Sequence, residues 1–233
     1  MKKKKILSLS ADQRKSALDS LLDVTLLTPD YVLTLTLSVI IVVVGLLIDS
    51  ASVIIGGMVV APLLSPILAL AMGVILQDFK MMKRAIKTLA ISVGVIVLLA
   101  IFLTLFSSGG ITEEIAERSA ASLAHMIIAM SAGVLAAISL ARPDVPSRLT
   151  GIAVSVALLP PISVTGIGVA FGNWELVSGS FTLFLINLLG IIFSALIVFS
   201  LMGFSRSRRD AAQILKKEEK EAEEEWNELK SKE

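Results

Sequence analysis

Two pairs of prolines lie inside apolar stretches of the chain, where they would expose backbone carbonyl groups. The pairs are Pro62 with Pro66 and Pro160 with Pro161. Proline has no N–H and clashes with the carbonyl four residues earlier, so each pair predicts two carbonyl oxygens without their helical donors. Such oxygens are strongly disfavoured in hydrocarbon, so they must be buried in protein or line a polar cavity. In a cavity they can bind a small ion or a neutral solute.

Polar side chains near the prolines extend this candidate pathway. Ser65, Ser163 and Thr165 flank the prolines and can supply hydroxyl ligands. Asn187 can line the same pathway or can hydrogen-bond across a helix interface, and both roles stay open. The sign of the ligand's charge also stays open, because carbonyl oxygens favour a cation and the helix N-termini after the breaks favour an anion.

Glycines and acidic residues near the same stretches have other candidate roles. We expect close helix approach at four glycines, which are Gly56, Gly57, Gly166 and Gly168. Asp49 and Asp144 each precede the predicted start of a helix. We therefore expect each aspartate to cap a helix, with gating at the mouth of a pathway as the alternative.

The elements that position these residues are predicted to be membrane helices. Of the 233 residues, 55% are hydrophobic and 18% are charged, which is more apolar surface than one soluble core requires. Runs of about 20 apolar residues give six candidate spans, at 31–48, 51–77, 88–106, 120–140, 150–171 and 177–204. We therefore predict an all-α polytopic membrane protein.

The prolines lie in two copies of one sequence pattern. Residues 49–74 and 144–169 are identical at ten of 26 positions when the chain is compared with itself at a shift of 95 residues. The matches pair Asp49 with Asp144 and Pro66 with Pro161. Because each copy is the middle span of three, the second unit must be inverted relative to the first. The sequence thus predicts a 3+3 inverted repeat with Pro-broken second and fifth spans.

Basic residues predict the orientation of the chain. With six spans, 20 of the 21 Lys and Arg residues fall on the side of both termini, and Arg118 is the exception. The positive-inside rule then predicts N-in and C-in, in a prokaryotic plasma (inner) membrane. The predicted segments are a cytoplasmic N-terminal segment with an interfacial amphipathic helix (1–30), membrane repeat 1 (31–106), an extracytoplasmic loop (107–119), membrane repeat 2 (120–204) and a charged cytoplasmic helical tail (205–233).

Three stretches of the membrane part resemble a known family. They are "DSASVIIGGMVVAPLLSPILAL", "SVALLPPISVTGIGVAF" and "FLINLLGIIFSA". They are similar to the bacterial and archaeal "uncharacterised hydrophobic domain" membrane proteins, the domain of unknown function 389 family. The similarity covers residues 31–204. The resemblance implies a multi-span membrane domain and leaves its activity open.

The function classes that remain are those of a membrane protein without enzyme motifs. The chain has no cysteine, one histidine, no Gly-rich phosphate loop and no H-E-x-x-H pattern. We therefore expect no enzyme, no cofactor, no metal site and no nucleic-acid partner. The expected partners are the lipid bilayer, a small ion or solute, and further copies of the chain in a homo-oligomer.

Two functional hypotheses follow. The first is a transporter or channel-like protein for a small ion or neutral solute, with a midplane site made by the two discontinuous helices. The alternative is a non-transporting scaffold or regulatory protein that recruits a partner through its charged tail. A polar cavity at the level of the prolines would favour transport, and a dry, tightly packed centre would favour the scaffold.

Overall fold

The regular elements of the structure, a computed structural model, are helices throughout the part of the chain that it describes. That part comprises residues 9, 13–14, 16–18, 21, 27–142 and 147–207, with the backbone alone for 147–154, 156 and 206–207. The helices are α1 (Pro29–Leu47), α2 (Ala51–Val60), α3 (Leu64–Leu76), α4 (Phe79–Leu105), α5 (Glu113–Glu117), α6 (Leu123–Ala141), α7 (Ser147–Ala170) and α8 (Trp174–Leu201), followed by a 3₁₀ turn at Phe204–Ser207. Asp144 and residues 208–233 of the predicted tail lie outside the described residues.

Several helices have the length and composition of membrane spans. Four of them, α1, α4, α6 and α8, are long and apolar enough to cross a membrane. Helices α2 and α3 pass the same test together, with a bend of 53° between them. Helix α7 has 24 residues, and the apolar part of it with described side chains is Ala157–Ala170. The protein is therefore a helical membrane protein with four or five candidate spans by these criteria.

Short local signals explain where these helices begin. Thr28 accepts a hydrogen bond from the N–H of Tyr31 at 3.2 Å, and Pro29 follows it in the first turn of α1. Asp78 accepts from the N–H groups of Lys80 and Met81 at 2.9 and 3.0 Å, so α4 begins well before its apolar run. The basic residues after position 79 therefore lie on a helix.

Helix α7 lies at the centre of the bundle. It packs against α1, α2, α3, α4, α6 and α8, and every side chain from 157 to 168 is buried. A helix that is apolar on all sides is stable only when it is surrounded by other helices. The other helices thus form a shell around α7.

The break between α2 and α3 falls at the first proline pair. Helix α2 ends at Val60, and the N–H of Ala61 donates to the carbonyl of Met58 at 3.3 Å, which closes the helix with a tight turn. Pro62 follows, and it cannot donate to that carbonyl. Pro66 lies in the first turn of α3, where a missing N–H removes no bond within the helix.

The predicted break in the fifth span is wrong. Helix α7 runs from Ser147 to Ala170 without interruption and contains both Pro160 and Pro161. The carbonyl that Pro161 leaves without a helical donor is that of Ala157, and it accepts from Asn187 Nδ2 at 2.7 Å. A neighbouring side chain thus replaces the missing backbone donor, which allows the helix to continue through the prolines.

The corner between α3 and α4 is a compact turn. Gln77 adopts a left-handed conformation with φ of 54°, and the N–H of Asp78 donates to the carbonyl of Gly73 at 2.9 Å. A Cβ atom at Gly73 would lie 3.1 Å from the backbone nitrogen of Met82. The glycine therefore allows the two helices to approach closely.

The corner between α7 and α8 has the same geometry 95 residues later. Gly172 has φ of 66°, and the N–H of Asn173 donates to the carbonyl of Gly168 at 2.9 Å. A Cβ atom at Gly168 would lie 3.1 Å from the backbone nitrogen of Val177. At the shift of 95 residues, the corner positions pair as follows: Gly73 with Gly168, Gln77 with Gly172, Asp78 with Asn173, and Met82 with Val177.

Contacts between loops define two ends of the bundle. At one end, Thr112 Oγ1 donates to the carbonyl of Leu46 at 2.7 Å, and Gly179 packs against the backbone of Ser119. The α1–α2 corner, the loop after α4 and the start of α8 therefore lie together. At the opposite end, the 3₁₀ turn after α8 packs against α3. Three described residues of the N-terminal segment, Ala17, Leu18 and Leu21, are buried in the protein core.

We expect replacement of Gln77 by glycine to stabilise the protein. A left-handed residue with a side chain is disfavoured by about 1 kcal/mol, and Gln77 is exposed, so little packing is lost. Gln77→Gly should raise the midpoint of thermal unfolding in detergent by about 2–4 °C, and Gly172→Gln should lower it. A lower midpoint for Gln77→Gly would contradict this account of the corner.

Candidate functional site

A small set of buried polar contacts joins the break between α2 and α3 to helices α7 and α8. Ser155 Oγ donates to the carbonyl of Ala61 in the break at 3.1 Å. Two residues further along α7, the carbonyl of Ala157 accepts from Asn187 Nδ2 at 2.7 Å. Both hydrogen bonds are buried. We call Ala61, Ser155, Ala157 and Asn187 the central network.

The central network lies near the middle of α7 and α8 and at the break between α2 and α3. Asn187 is at the middle of α8, Ala157 is near the middle of α7, and Ala61 follows directly after α2. Sequence reasoning named the prolines and Asn187 but missed Ser155. Its hydroxyl group in an apolar span could have identified Ser155 as a candidate. The repeat pairs it with Val60, however, so the comparison of the two halves gave no reason to select it.

Asn187 has one oxygen without a partner among the described residues. The side chain is 1% exposed, and this oxygen is Oδ1. The orientation of the amide follows from chemistry, because the opposite orientation would place Oδ1 against the carbonyl oxygen of Ala157. Buried polar atoms are ordinarily hydrogen-bonded. This oxygen is therefore an available acceptor at the centre of the bundle.

The two predicted hydroxyl ligands on α7 differ in their surroundings. Ser163 Oγ is buried and has no partner within the described part of the chain. Thr165 Oγ1 lies 3.1 Å from the carbonyl of Pro161 and 2.9 Å from Ser180 Oγ, so it joins α7 to α8. Both residues lie further along α7 than Ala157, by about 9–12 Å at 1.5 Å per residue. Neither belongs to the central network.

The prolines and Ser65 lie at different depths in the protein. Pro66, Pro160 and Pro161 are buried, whereas Pro62 and Ser65 at the break are half-buried. The structure connects the break to α7 through Ser155. It connects the proline pair of α7 to α8 through the carbonyl of Ala157.

Gly57 and its neighbour Gly56 have opposite surroundings. A Cβ atom at Gly57 would lie 3.0 Å from the carbonyl oxygen of Ser38 and 2.7 Å from Val42 Cγ2, so α1 and α2 approach closely there. Ser38 Oγ also donates to the carbonyl of Gly57 at 2.6 Å. Gly56 is exposed, and a Cβ atom there would have no described atom of a neighbouring element within 4 Å. The expected close approach at Gly56 is therefore not found among the described residues.

The two glycines of α7 both permit close packing. A Cβ atom at Gly166 would lie 2.7 Å from the carbonyl oxygen of Val97 on α4. Gly168 packs against the start of α8 at Val177, as described for the corner. These contacts let α4 and α8 pack directly on the backbone of the central helix.

Asp49 does not cap the helix that follows it. It has φ of 57° after the end of α1, and α2 begins after Ser50, whose side chain makes no capping hydrogen bond. Asp49 Oδ1 instead accepts from the N–H of Glu114 at 2.9 Å, in the first turn of α5. A carboxylate is favourable at that position of a helix. Its counterpart Asp144 lies outside the described residues.

An open surface cavity of about 560 Å³ lies between α6 and α8. Its lining is apolar and consists of Met126, Met130, Ile186, Leu189, Gly190, Ile192, Phe193 and Leu196. None of the predicted pathway residues belongs to this lining. The cavity therefore does not meet the condition of a polar cavity at the prolines.

The central network lies within a region that matches a known family. The family described as "Domain of unknown function (DUF389)" matches residues 58–193, which include the break, all of α7 and every residue of the network. The chain belongs to this family. The family description assigns no activity, so function has to be inferred from the site.

One relative extends the comparison beyond the region that defines the family. The chain is 31% identical over 187 residues to an uncharacterized protein of Methanocaldococcus jannaschii, a match that covers 80% of this chain and 58% of the relative. The chain thus spans little more than half the length of that relative. No solved structure matches the chain significantly.

The two adjacent glycines provide a matched test of packing in α2. Gly57→Leu forces a side chain into the contact with α1, and overpacking of this kind costs about 1–3 kcal/mol. We expect a clear fall in the midpoint of thermal unfolding in detergent for Gly57→Leu and a small change for Gly56→Leu. Equal midpoints for the two variants would contradict the packing described here.

Proposed function

We propose that this protein is a transporter or channel-like protein that moves a small ion or neutral solute past the central network. The observation that carries the proposal is the break between α2 and α3. Helix α7 connects this break to Asn187, whose Oδ1 is a buried acceptor without a partner among the described residues. In membrane proteins, non-helical backbone at this depth is tolerated where it is enclosed by protein or lines a pathway. On this proposal, α2 and α3 form one discontinuous span.

The proposal includes six spans arranged as two inverted repeats. It is supported by the matching corner geometry at α3–α4 and α7–α8, which are 95 residues apart and at opposite ends of the bundle. Packing is reciprocal as well. The last helix of each proposed repeat packs against the middle span of the other, since α4 packs against α7 and α8 packs against α3. Inverted repeats with substrate sites near the midplane are common among secondary transporters.

We propose an orientation with both termini in the cytoplasm of a prokaryotic plasma membrane. The loop at the α1–α2 end contains one basic residue, Arg118. The first turns of α4 at the opposite end contain four, which are Lys80, Lys83, Arg84 and Lys87. The positive-inside rule supports placing the second end in the cytoplasm.

A second candidate function is a non-transporting scaffold or regulatory protein that recruits a partner through its charged tail. It is favoured by hydrogen bonds to three carbonyls near the prolines. Met58 accepts from the Ala61 N–H, Ala61 accepts from Ser155, and Ala157 accepts from Asn187. Tight pairing of this kind suits a packed structural core as well as an occluded state of a transporter.

Single cysteines test the six-span topology. The chain contains no cysteine, so each introduced thiol reports one position. We expect a membrane-impermeant thiol reagent to label Ser107→Cys from outside intact cells and Ser207→Cys only after the cells are opened. Labelling of both positions from one side would contradict the six-span arrangement.

Restoring the backbone donor at the break tests the pathway. Pro62→Ala returns an N–H to the carbonyl of Met58 and favours a continuous helix. In reconstituted vesicles, we expect flux to fall by about tenfold or more, equivalent to about 1.4 kcal/mol, with thermal stability equal to wild type or higher. The panel of probes is sodium, potassium, methylammonium, chloride, sulfate, glycerol and urea.

Two further proline variants serve as comparisons. Pro29→Ala, in the first turn of α1, should leave flux and stability near wild type. Pro161→Ala should have a smaller effect than Pro62→Ala, because α7 is already continuous. Normal flux in Pro62→Ala would refute the pathway at the break. Absence of flux in wild type for every probe would favour the scaffold.

A further inference from the structure

We infer that Asn187 Oδ1 binds the transported species directly and that this species is a monovalent cation or a neutral hydrogen-bond donor, not an anion. This inference rests on the proposed transport function and adds the chemical class of the ligand. The prolines alone left the sign of the ligand's charge open. The free donors and acceptors of the central network indicate which sign is favoured.

The network has more free acceptors than free donors. The hydroxyl hydrogen of Ser155 is used by the Ala61 carbonyl, and one amide hydrogen of Asn187 is used by the Ala157 carbonyl. Oδ1 keeps its acceptor capacity, and each carbonyl keeps a second lone pair. One N–H of Asn187 is the remaining donor. Acceptors therefore outnumber donors, which favours a ligand that donates or carries positive charge.

The N-terminus of α3 is the other group near the break that could attract an anion. The helix begins directly after the break, at Leu64, and its first turn contains Pro66. Pro66 has no N–H, so one of the donors on which an anion would depend is missing. The N-cap residue Leu63 adds no side-chain donor or acceptor. This helix end is therefore a poor anion site.

Ionisable side chains are absent from the stretches that supply the network. The stretches 51–76, 155–170 and 176–204, which supply the network, contain no Asp, Glu, Lys, Arg or His. Divalent cations in proteins are usually held by carboxylates. A neutral set of amide, hydroxyl and carbonyl oxygens suits a monovalent cation or a small solute with N–H or O–H groups.

The experiment measures flux in vesicles that contain wild type, Asn187→Leu or Ser180→Ala. The probes are sodium, potassium and methylammonium as cations, glycerol and urea as neutral donors, and chloride and sulfate as anions. We expect wild type to carry a cation or a neutral donor, and Asn187→Leu to reduce that flux by about tenfold or more. Ser180→Ala removes a buried hydroxyl from the same α7–α8 interface, outside the network, and should retain flux within about twofold.

The near-isosteric variant Asn187→Asp separates a binding role from a structural one. A protonated carboxyl group can still donate to the Ala157 carbonyl, so the fold is preserved. When it ionises, it loses this hydrogen bond, and its negative charge favours a cation beside it. Flux of a cation should therefore rise with pH in this variant relative to wild type, whereas flux of a neutral donor should not rise. The pH dependence of flux in Asn187→Asp therefore tests the inference even if Asn187→Leu does not fold.

The outcomes distinguish this inference from the proposed function. If wild type carries only anions, or if both Asn187 variants carry the wild-type substrate at the wild-type rate with an unchanged pH profile, the inference is overturned while transport stands. If wild type carries none of the probes, the transport proposal fails and the inference fails with it. A cation or neutral-donor flux that Asn187→Leu abolishes supports both.

Discussion

A backbone carbonyl that loses its helical donor inside an apolar bundle has no water to replace it, and the centre of this protein is built around that constraint. Ser155 donates to the carbonyl of Ala61, and Asn187 donates to the carbonyl of Ala157. An unpaired carbonyl in such a place would cost several kcal/mol. The two side chains thus hold the broken segment, the central helix and α8 together.

The same constraint gives different results at the two proline pairs. Pro62 is followed by Pro66 four residues later, so the chain ends one helix and starts another, with a bend of 53°. Pro160 and Pro161 are adjacent, and their helix is surrounded on all sides by other helices. There the Asn187 side chain substitutes for the missing donor, and the helix continues. The two halves therefore share corners but not the shape of their middle helices.

Close packing and polar bonding support each other in this arrangement. Gly166 lets the backbone of α4 reach the central helix, and Gly57 does the same for α1 and α2. Polar atoms that are buried at such contacts depend on hydrogen bonds to the protein. Asn187 Oδ1 differs from this pattern, because it has no partner among the described residues while the nitrogen of the same amide group holds Ala157.

Sequence alone was sufficient for the features that depend on local chemistry. Apolar run length marked the helices now seen as α1, α4, α6 and α8, and the proline spacing marked the end of α2 near Pro62. These follow from side chains and backbone within a few residues of each other. The tertiary structure decided whether α7 breaks, which helix end Asp49 caps and that Ser155 matters. In each case the partner lies far away in sequence, at Asn187, Glu114 or Ala61, and only folding brings the donor to the acceptor.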